Sequence, residues 1–327
     1  MRILILADGN HKIGLGHVYR ALNLAKFLKN QKHEVFIFTK DNIAKNIISK
    51  TVHCKFYRNL CNKKIIKFLD EFCPHITIID KLNETKKNLM ILRKLNTKII
   101  AVDYTGKHKE LFHYGINYMY PKTGISKNSY SGFQYSIINE NFLNYTKKKI
   151  LKKAKSILVL QGGADTYCFT PKIIKALNEI NSNFRISVVL GPSFKCWSKL
   201  NYVLKKCRNP VKIYHNVKNM ASIMKQADLA ITAAGHTLLE LAHLGIPSLV
   251  ICAEEFENET ANLMEKNGFG KNLGFGKKVT TSKIKSNVNK ILADYDTRKK
   301  MNKIGPMLID GKGTERIVKI LQTLIFK

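Results

Sequence analysis

Residues 2–7, RILILA, are apolar at every position after Arg2. A run so short and so continuously apolar reads as a strand covered on both faces, which is the habit of parallel sheets. EVFIF at 34–38, ITIID at 76–80 and KIIAVD at 98–103 repeat the pattern. Residues 62–72 and 85–95 read as helices between them. In 17–29 the apolar residues Val18, Ala21, Leu22, Ala25 and Leu28 recur at helical spacing. Alternating strands and helices predict a parallel, doubly wound α/β sheet.

After Asp103 the periodic signal weakens, and 114–145, rich in Tyr, Asn, Ser and Gly, reads as irregular structure at the end of a domain. SILVL at 156–160 restarts the pattern. A Gly162-Gly163 turn leads to a helix with Thr170 as N-cap and Pro171 at its first position. Strands at 185–190, 211–215, 229–232 and 246–252 follow, with helices at about 218–226 and 236–244. Two Rossmann-like domains are therefore expected, 1–150 and 151–327, with the last helix free to return to the first.

A length of 327 residues suits two cores of ordinary size. No apolar run approaches the ~20 residues of a membrane-spanning helix, and MRILILA runs into Asp8, Asn10 and His11 instead of a cleavage site. Seven cysteines, scattered and never spaced CxxC, suggest neither a disulfide frame nor a zinc site and predict a reducing, cytoplasmic home. A net charge of +33 ordinarily points to a polyanion. Here the lysines are dispersed, and the densest clusters, 147–155 and 277–285, lack interleaved aromatics. That argues against nucleic acid and leaves peripheral attraction to anionic lipid open. Nothing signals an obligate protein partner.

Chemistry concentrates at glycine turns. Ile13-Gly14-Leu15-Gly16-His17-Val18-Tyr19-Arg20 spans the first strand-to-helix turn, at the edge where doubly wound sheets bind ligands. Gly14 and Gly16 let a substrate approach the backbone, and the helix start favours negative charge. His17 is the candidate general base, with Arg20 one turn on, although a histidine that merely opens a helix is the plainer alternative. Ala233-Ala234-Gly235-His236-Thr237-Leu238-Leu239-Glu240 repeats the arrangement. Gly235, His236 and Thr237 suit phosphates, and Glu240 suits ribose hydroxyls. Alternatively, Thr237 caps the helix and Glu240 is solvated. Gly162, Gly163 and Asp165 form another turn facing the same ligand, or simply a tight turn, and Gly191 ends a further strand there. EEFENET at 254–260 reads as a polar loop in which Asn258 contacts phosphate or sugar, with Glu255, Glu257 and Glu259 turned to solvent or sugar hydroxyls. No GxxxxGK[ST], complete GxGxxG, HExxH or DxD-like pair occurs, so no metal and no cofactor are expected.

Together with Asp310-Gly311-x-Gly313-x-x-Arg316 and Gly132-Phe133-x-Tyr135, these motifs resemble the UDP-2,4-diacetamido-2,4,6-trideoxy-β-L-altropyranose hydrolase family of pseudaminic acid synthesis, grouped with spore-coat polysaccharide proteins. The resemblance covers nearly the whole chain. It implies a GT-B fold, a C-terminal lobe that holds UDP through Gly162, Gly163, Asp165, Gly191, Gly235, His236, Thr237, Glu240 and Asn258, and His17 as the base that activates water. Gly14, Gly16, Arg20 and Asp103 would shape the sugar side. Departures at Asp80-Lys81-Leu82, where the family has Asp-His-Tyr, and at Asp103-Tyr104, where it has paired aspartates, put the sugar's identity in doubt. A GT-B glycosyltransferase, with His17 deprotonating an acceptor hydroxyl, is the alternative activity.

Overall fold

The structure is a computed structural model and describes residues 1–9, 14–122, 124–125, 128–217 and 219–324. Asn10, His11 and Ile13 of the first loop, and Lys218 at the start of an expected helix, lie outside the described residues. The chain divides into two compact units, Met1–Asn139 with Gly311–Lys327, and Glu140–Asp310.

The first unit contains β1 (Arg2–Ala7), β2 (Glu34–Thr39), β3 (His53–Phe56), β4 (Ile76–Asp80), β5 (Lys98–Val102), β6 (Tyr114–Asn117) and β7 (Ser129–Ser131). They form one parallel sheet in the order β3-β2-β1-β4-β5-β6-β7. Its helices are α1 (Gly16–Asn30), α2 (Asn42–Ile48), α3 (Lys63–Phe72) and α4 (Lys86–Lys94). The order reverses at β1, which pairs with β2 on one side and β4 on the other. That reversal is where a doubly wound sheet opens its ligand crevice.

In the second unit, α5 (Glu140–Leu143) precedes β8 (Ser156–Leu160), α6 (Phe169–Asn178), β9 (Arg185–Leu190), α7 (Trp197–Leu204), β10 (Val211–His215) and α8 (Met220–Met224). Next come β11 (Leu229–Thr232), α9 (His236–His243), β12 (Ser248–Cys252), α10 (Glu257–Lys266), β13 (Lys271–Phe275), α11 (Thr281–Ala293) and α12 (Tyr295–Leu308). The sheet, again parallel, runs β10-β9-β8-β11-β12-β13. Residues 140–150 belong to this unit: the Lys148 amide donates to the Leu244 carbonyl, and its ammonium lies 3.3 Å from Asp228.

α13 (Gly313–Thr323) belongs to the first unit. This accounts for the C-terminal glycine and arginine motif. Gly313 packs so closely on the Ser136 backbone that no Cβ would fit, and Arg316 Nη1 donates to the Gln134 carbonyl at 2.9 Å. The two halves of that contact, 132–135 and 311–316, were separate motifs in the sequence.

Several sequence expectations need correction. The stretch 114–145 contains β6 and β7, because pairing of β6 with β5 on one side and β7 on the other overrides the weak strand preference of Gly115 and Asn117. EEFENET is not a loop throughout, since α10 begins at Glu257. Thr170 is not the N-cap of α6. Cys168 precedes that helix in a left-handed conformation, and the Asp165 carboxylate accepts from the Phe169 and Thr170 amides at 2.7 and 2.8 Å. Against the expectation of reduced cysteines, Cys168 and Cys196 form a disulfide with a Cα–Cα separation of 5.7 Å. It ties the start of α6 to the start of α7. The other five cysteines are free. No helix among the described residues is long and apolar enough to cross a membrane.

Asp165 supplies what an N-cap supplies, from an unusual distance. Asp165→Ala is expected to lower unfolding free energy by about 1–2 kcal/mol in chemical denaturation; an unchanged midpoint would show that the two amides find other partners.

Candidate active site

α1 follows β1 after eight intervening residues, with Leu15 at its N-cap, no side-chain cap and no acid in its first turn. Its first amides are therefore not consumed by a capping side chain. Gly14 has φ +79°, and a Cβ at Gly14 or Gly16 would meet open space.

His17 is the second residue of α1. Asp80, the last residue of β4, sits opposite Ala7 in the parallel register, so strand pairing brings its carboxylate beneath the helix start. Asp80 Oδ1 lies 2.7 Å from His17 Nδ1. The anionic carboxylate selects the tautomer in which Nδ1–H donates. Nε2 then carries the lone pair and has no partner among the described residues. The His17 side chain is 16% exposed.

Arg20, one turn later, fixes Asp80 in turn. Its Nε donates to Asp80 Oδ2 at 2.7 Å, Nη2 to Asp80 Oδ1, Nη1 to Asp103 Oδ2 at 2.6 Å and to the Tyr118 hydroxyl at 3.2 Å. Asp103 Oδ1 accepts from the Tyr118 and Met119 amides, both at 2.9 Å. Burial alone would raise the Asp80 pKa, but the Arg20 guanidinium and the His17 hydrogen bond hold it at about 2.

This corrects the sequence assignment of Arg20 and Asp103 to the sugar pocket. Arg20 is 2% exposed and Asp103 0%, because a buried guanidinium must surround itself with carboxylates and carbonyls. They position Asp80, which positions His17. By sequence Asp80 stands out only within the Asp80-Lys81-Leu82 departure and is not paired with His17; the available signal was a carboxylate closing the apolar strand ITIID. Lys81 and Tyr104, the departures expected to line the sugar side, are also buried. Lys81 Nζ reaches Asp8 at 2.7 Å and Glu84 at 2.9 Å. Burial opposes ionisation of Glu84, yet Lys81 and Lys40 hold its carboxyl at about 2.

In the second unit β8 pairs with β11 and β11 with β12, so the turns that follow these strands are neighbours on one edge. A Cβ at Gly162, Gly163 or Gly235 would meet open space. Gly235 is the N-cap of α9, with no side-chain cap bond. Thr237 therefore does not cap the helix, and its hydroxyl has no partner among the described residues. His236 opens the helix beside it, and Glu240 follows one turn on, only part-exposed. Burial without a cation pushes the Glu240 carboxyl up to about 8.

The remaining sequence candidates support this edge. Gly191 is small because its Cβ would strike the Gly163 backbone, so it shapes the turn instead of facing open space. Asp165 is buried on the α6 amides. Asn258 is held within the protein, donating to the Glu255 carbonyl at 3.0 Å and accepting from Asn272 at 3.1 Å. Glu257, expected at solvent or sugar, instead accepts from the Ala253 amide at 2.7 Å and the Ala234 amide at 3.4 Å, joining the turns after β11 and β12. Among the described residues no group of three or more His, Cys, Asp or Glu is arranged to hold a metal ion.

Two measurements follow from this geometry. A folded-state pKa below the ordinary carboxylate range contributes stability above that range and loses it as pH falls toward 2. Wild type should therefore lose stability between about pH 4 and 2, and Asp80→Asn should remove roughly 2 kcal/mol of that pH dependence, read from denaturant midpoints. An identical acid limb in both proteins would contradict the ion pair. Gly191→Ala should cost about 1–3 kcal/mol by overpacking, whereas Gly235→Ala should change stability by less than about 0.5 kcal/mol; equal effects would contradict the packing described.

Residues 156–310 match the glycosyltransferase family 28 C-terminal domain. The chain is 32% identical to an uncharacterized protein of Methanocaldococcus jannaschii over 79% of its own length and 57% of that relative's. It is 27% identical to the spore coat polysaccharide biosynthesis protein SpsG of Bacillus subtilis, over 99% of this chain and 98% of that protein. It is 24% identical to the pseudaminic acid cytidylyltransferase and UDP-2,4-diacetamido-2,4,6-trideoxy-β-L-altropyranose hydrolase of Helicobacter pylori, over 85% of this chain and 54% of that one. The crystal structure of MurG from Acinetobacter baumannii superposes with a TM-score of 0.69 at 12% identity, covering 99% of this chain and all of that one, which shows the shared fold. The two parallel sheets share the fold of MurG, and by sequence the chain is similar to SpsG along nearly its whole length and to the family 28 C-terminal domain within its second unit.

Proposed function

We propose that this chain is a metal-independent nucleotide-sugar hydrolase that releases UDP from a UDP-linked diacetamido-trideoxyhexose, in nonulosonic acid or surface polysaccharide synthesis. The observation that carries the reading is the His17–Asp80 pair, with Nε2 open at an uncapped helix start. A base needs its lone pair outward and its other nitrogen anchored, and this arrangement supplies both.

In the proposed reaction His17 Nε2 takes a proton from water. The water oxygen forms a bond to the anomeric carbon, and the bond from that carbon to the diphosphate oxygen breaks on the opposite face, giving inversion. Arg20, Asp80 and Asp103 together carry one guanidinium and two carboxylates, so the imidazolium that forms meets a net negative charge. UDP leaves with its charge facing the amides at the Gly235 turn and the start of α9, while Thr237 hydrogen-bonds phosphate and Glu240 the ribose hydroxyls. Support comes from the resemblance to the hydrolase of Helicobacter pylori and from the open glycine turns.

A glycosyltransferase is the second reading, favoured by the family 28 domain match. The same base would then deprotonate an acceptor hydroxyl. Under the hydrolase reading, UDP appears when the protein is incubated with the nucleotide sugar alone, and His17→Ala lowers that rate by about 100- to 10,000-fold while UDP affinity stays within a few-fold. UDP release that requires an added acceptor selects the transferase, and full activity in His17→Ala removes the base from both.

A further inference from the structure

Residues 180–227 contain nine Lys or Arg and no Asp or Glu, the longest acid-free stretch of the chain. This stretch supplies β9, α7, β10 and α8, so it forms the β10 edge of the second unit's sheet. Excess charge that is diffuse elsewhere becomes local here.

α7, the part of that stretch which follows β9, also walls a cavity of about 580 Å³ shared with α6 and the first residue of α11. Lys172, Lys175 and Lys199 stand around it, with the rings of Tyr167 and Tyr202 and the side chain of Val203, and no carboxylate lines it. Glu254 accepts from the Tyr167 hydroxyl at 3.4 Å. Two further cations flank the rings: Lys206 donates to the Tyr202 hydroxyl at 2.7 Å, and Lys277 lies 4.2 Å from the Tyr167 ring centre. Lys172 is committed to the Gly276 carbonyl at 2.9 Å, leaving Lys175 and Lys199 as the cations best able to meet a ligand.

α7 also presents Trp197, 39% exposed, and Tyr202, 61% exposed. Large rings with one polar atom favour the boundary between head groups and hydrocarbon, and lysines nearby favour anionic head groups. A cation-rimmed cavity with carbon walls fits a phosphate that carries hydrocarbon behind it. We propose that the α6–α7 face of the second unit docks on an anionic phospholipid bilayer, with a lipid phosphate at Lys175 and Lys199 and the rings of α7 at the interface.

Trp197 is the chain's single tryptophan, so its fluorescence reports on the start of α7, where its ring lies beside Phe194 and His215. The full chain is mixed with vesicles of phosphatidylcholine alone, or of phosphatidylcholine with phosphatidylglycerol, and sedimented. Binding and a blue shift of the emission are expected only with phosphatidylglycerol. Combining Lys175→Gln with Lys199→Gln should weaken partitioning roughly thirtyfold, taking about fivefold per lysine near the surface. Lys63→Gln with Lys64→Gln, at the exposed start of α3 in the first unit, should leave it within about twofold. Equal binding to both vesicles, an unshifted emission, or equal losses from the two double variants would overturn the proposal. So would a single-stranded oligonucleotide that displaces the vesicles and loses its affinity in the Lys175/Lys199 variant, which would assign the face to nucleic acid.

Discussion

One buried guanidinium organises the functional edge of the first unit. Arg20 lies on a helix whose neighbouring positions pack into the core, and such a charge is tolerated only when fully paired. It therefore draws in the terminal carboxylates of two strand ends, Asp80 and Asp103, and the Tyr118 hydroxyl. Because β4 and β5 are adjacent strands, one arginine reaches both. The hydrogen bond from His17 Nδ1 to the carboxylate that Arg20 holds is what orients the imidazole. Packing and proton chemistry thus rest on the same ion cluster, and neither can be altered without the other.

The second unit reaches its arrangement without a buried cation. Its turns are set by backbone and small residues: Gly191 against Gly163, and Glu257 bridging two turns through amides. The contrast between Asp80 and Glu240 shows what a cation does. Both are acids near a strand-to-helix turn in largely apolar surroundings. Arg20 keeps the first at about 2, whereas the second, with burial and no cation, is pushed up to about 8. The first is a fixed anion that holds the His17 ring. The second is a carboxyl whose ionisation burial opposes and no cation restores.

Sequence patterns exposed the parts of this molecule that repeat. Continuous apolar strands such as RILILA and SILVL carry their own signal, and a glycine turn between strand and helix marks a ligand edge, so His17 and Gly235 could be singled out. Strands such as HCKF and YGIN could not, because partner strands and not their own composition hold them. The same limit applies to side chains. Nothing local distinguishes a sugar-facing Arg20 from a buried one: the distinction lies in Asp80 and Asp103, 60 and 83 positions away. Nor could spacing reveal that Cys168 and Cys196 meet, since their proximity follows from β8 and β9 being neighbours.

Acid scarcity gives a finer way to weigh such a chain. Only 23 acids stand against 56 Lys and Arg, yet Asp80, Glu84, Asp103, Asp165 and Asp228 are buried. Burying a carboxylate is costly, so an acid-poor chain that still places five of them inside does so where a cation or a helix start must be neutralised. Asp80 and Asp103 answer Arg20, Glu84 answers Lys81, Asp165 answers the α6 amides, and Asp228 answers the Lys148 ammonium while also receiving the Lys155 amide and the Ser156 hydroxyl. The net charge of +33 is accordingly a property of the surface, where lysine is in surplus almost everywhere and its mean value discriminates nothing. What discriminates is departure from that mean: an acid retained inside marks architecture, and a long stretch that drops acids altogether marks a face whose charge is left uncompensated.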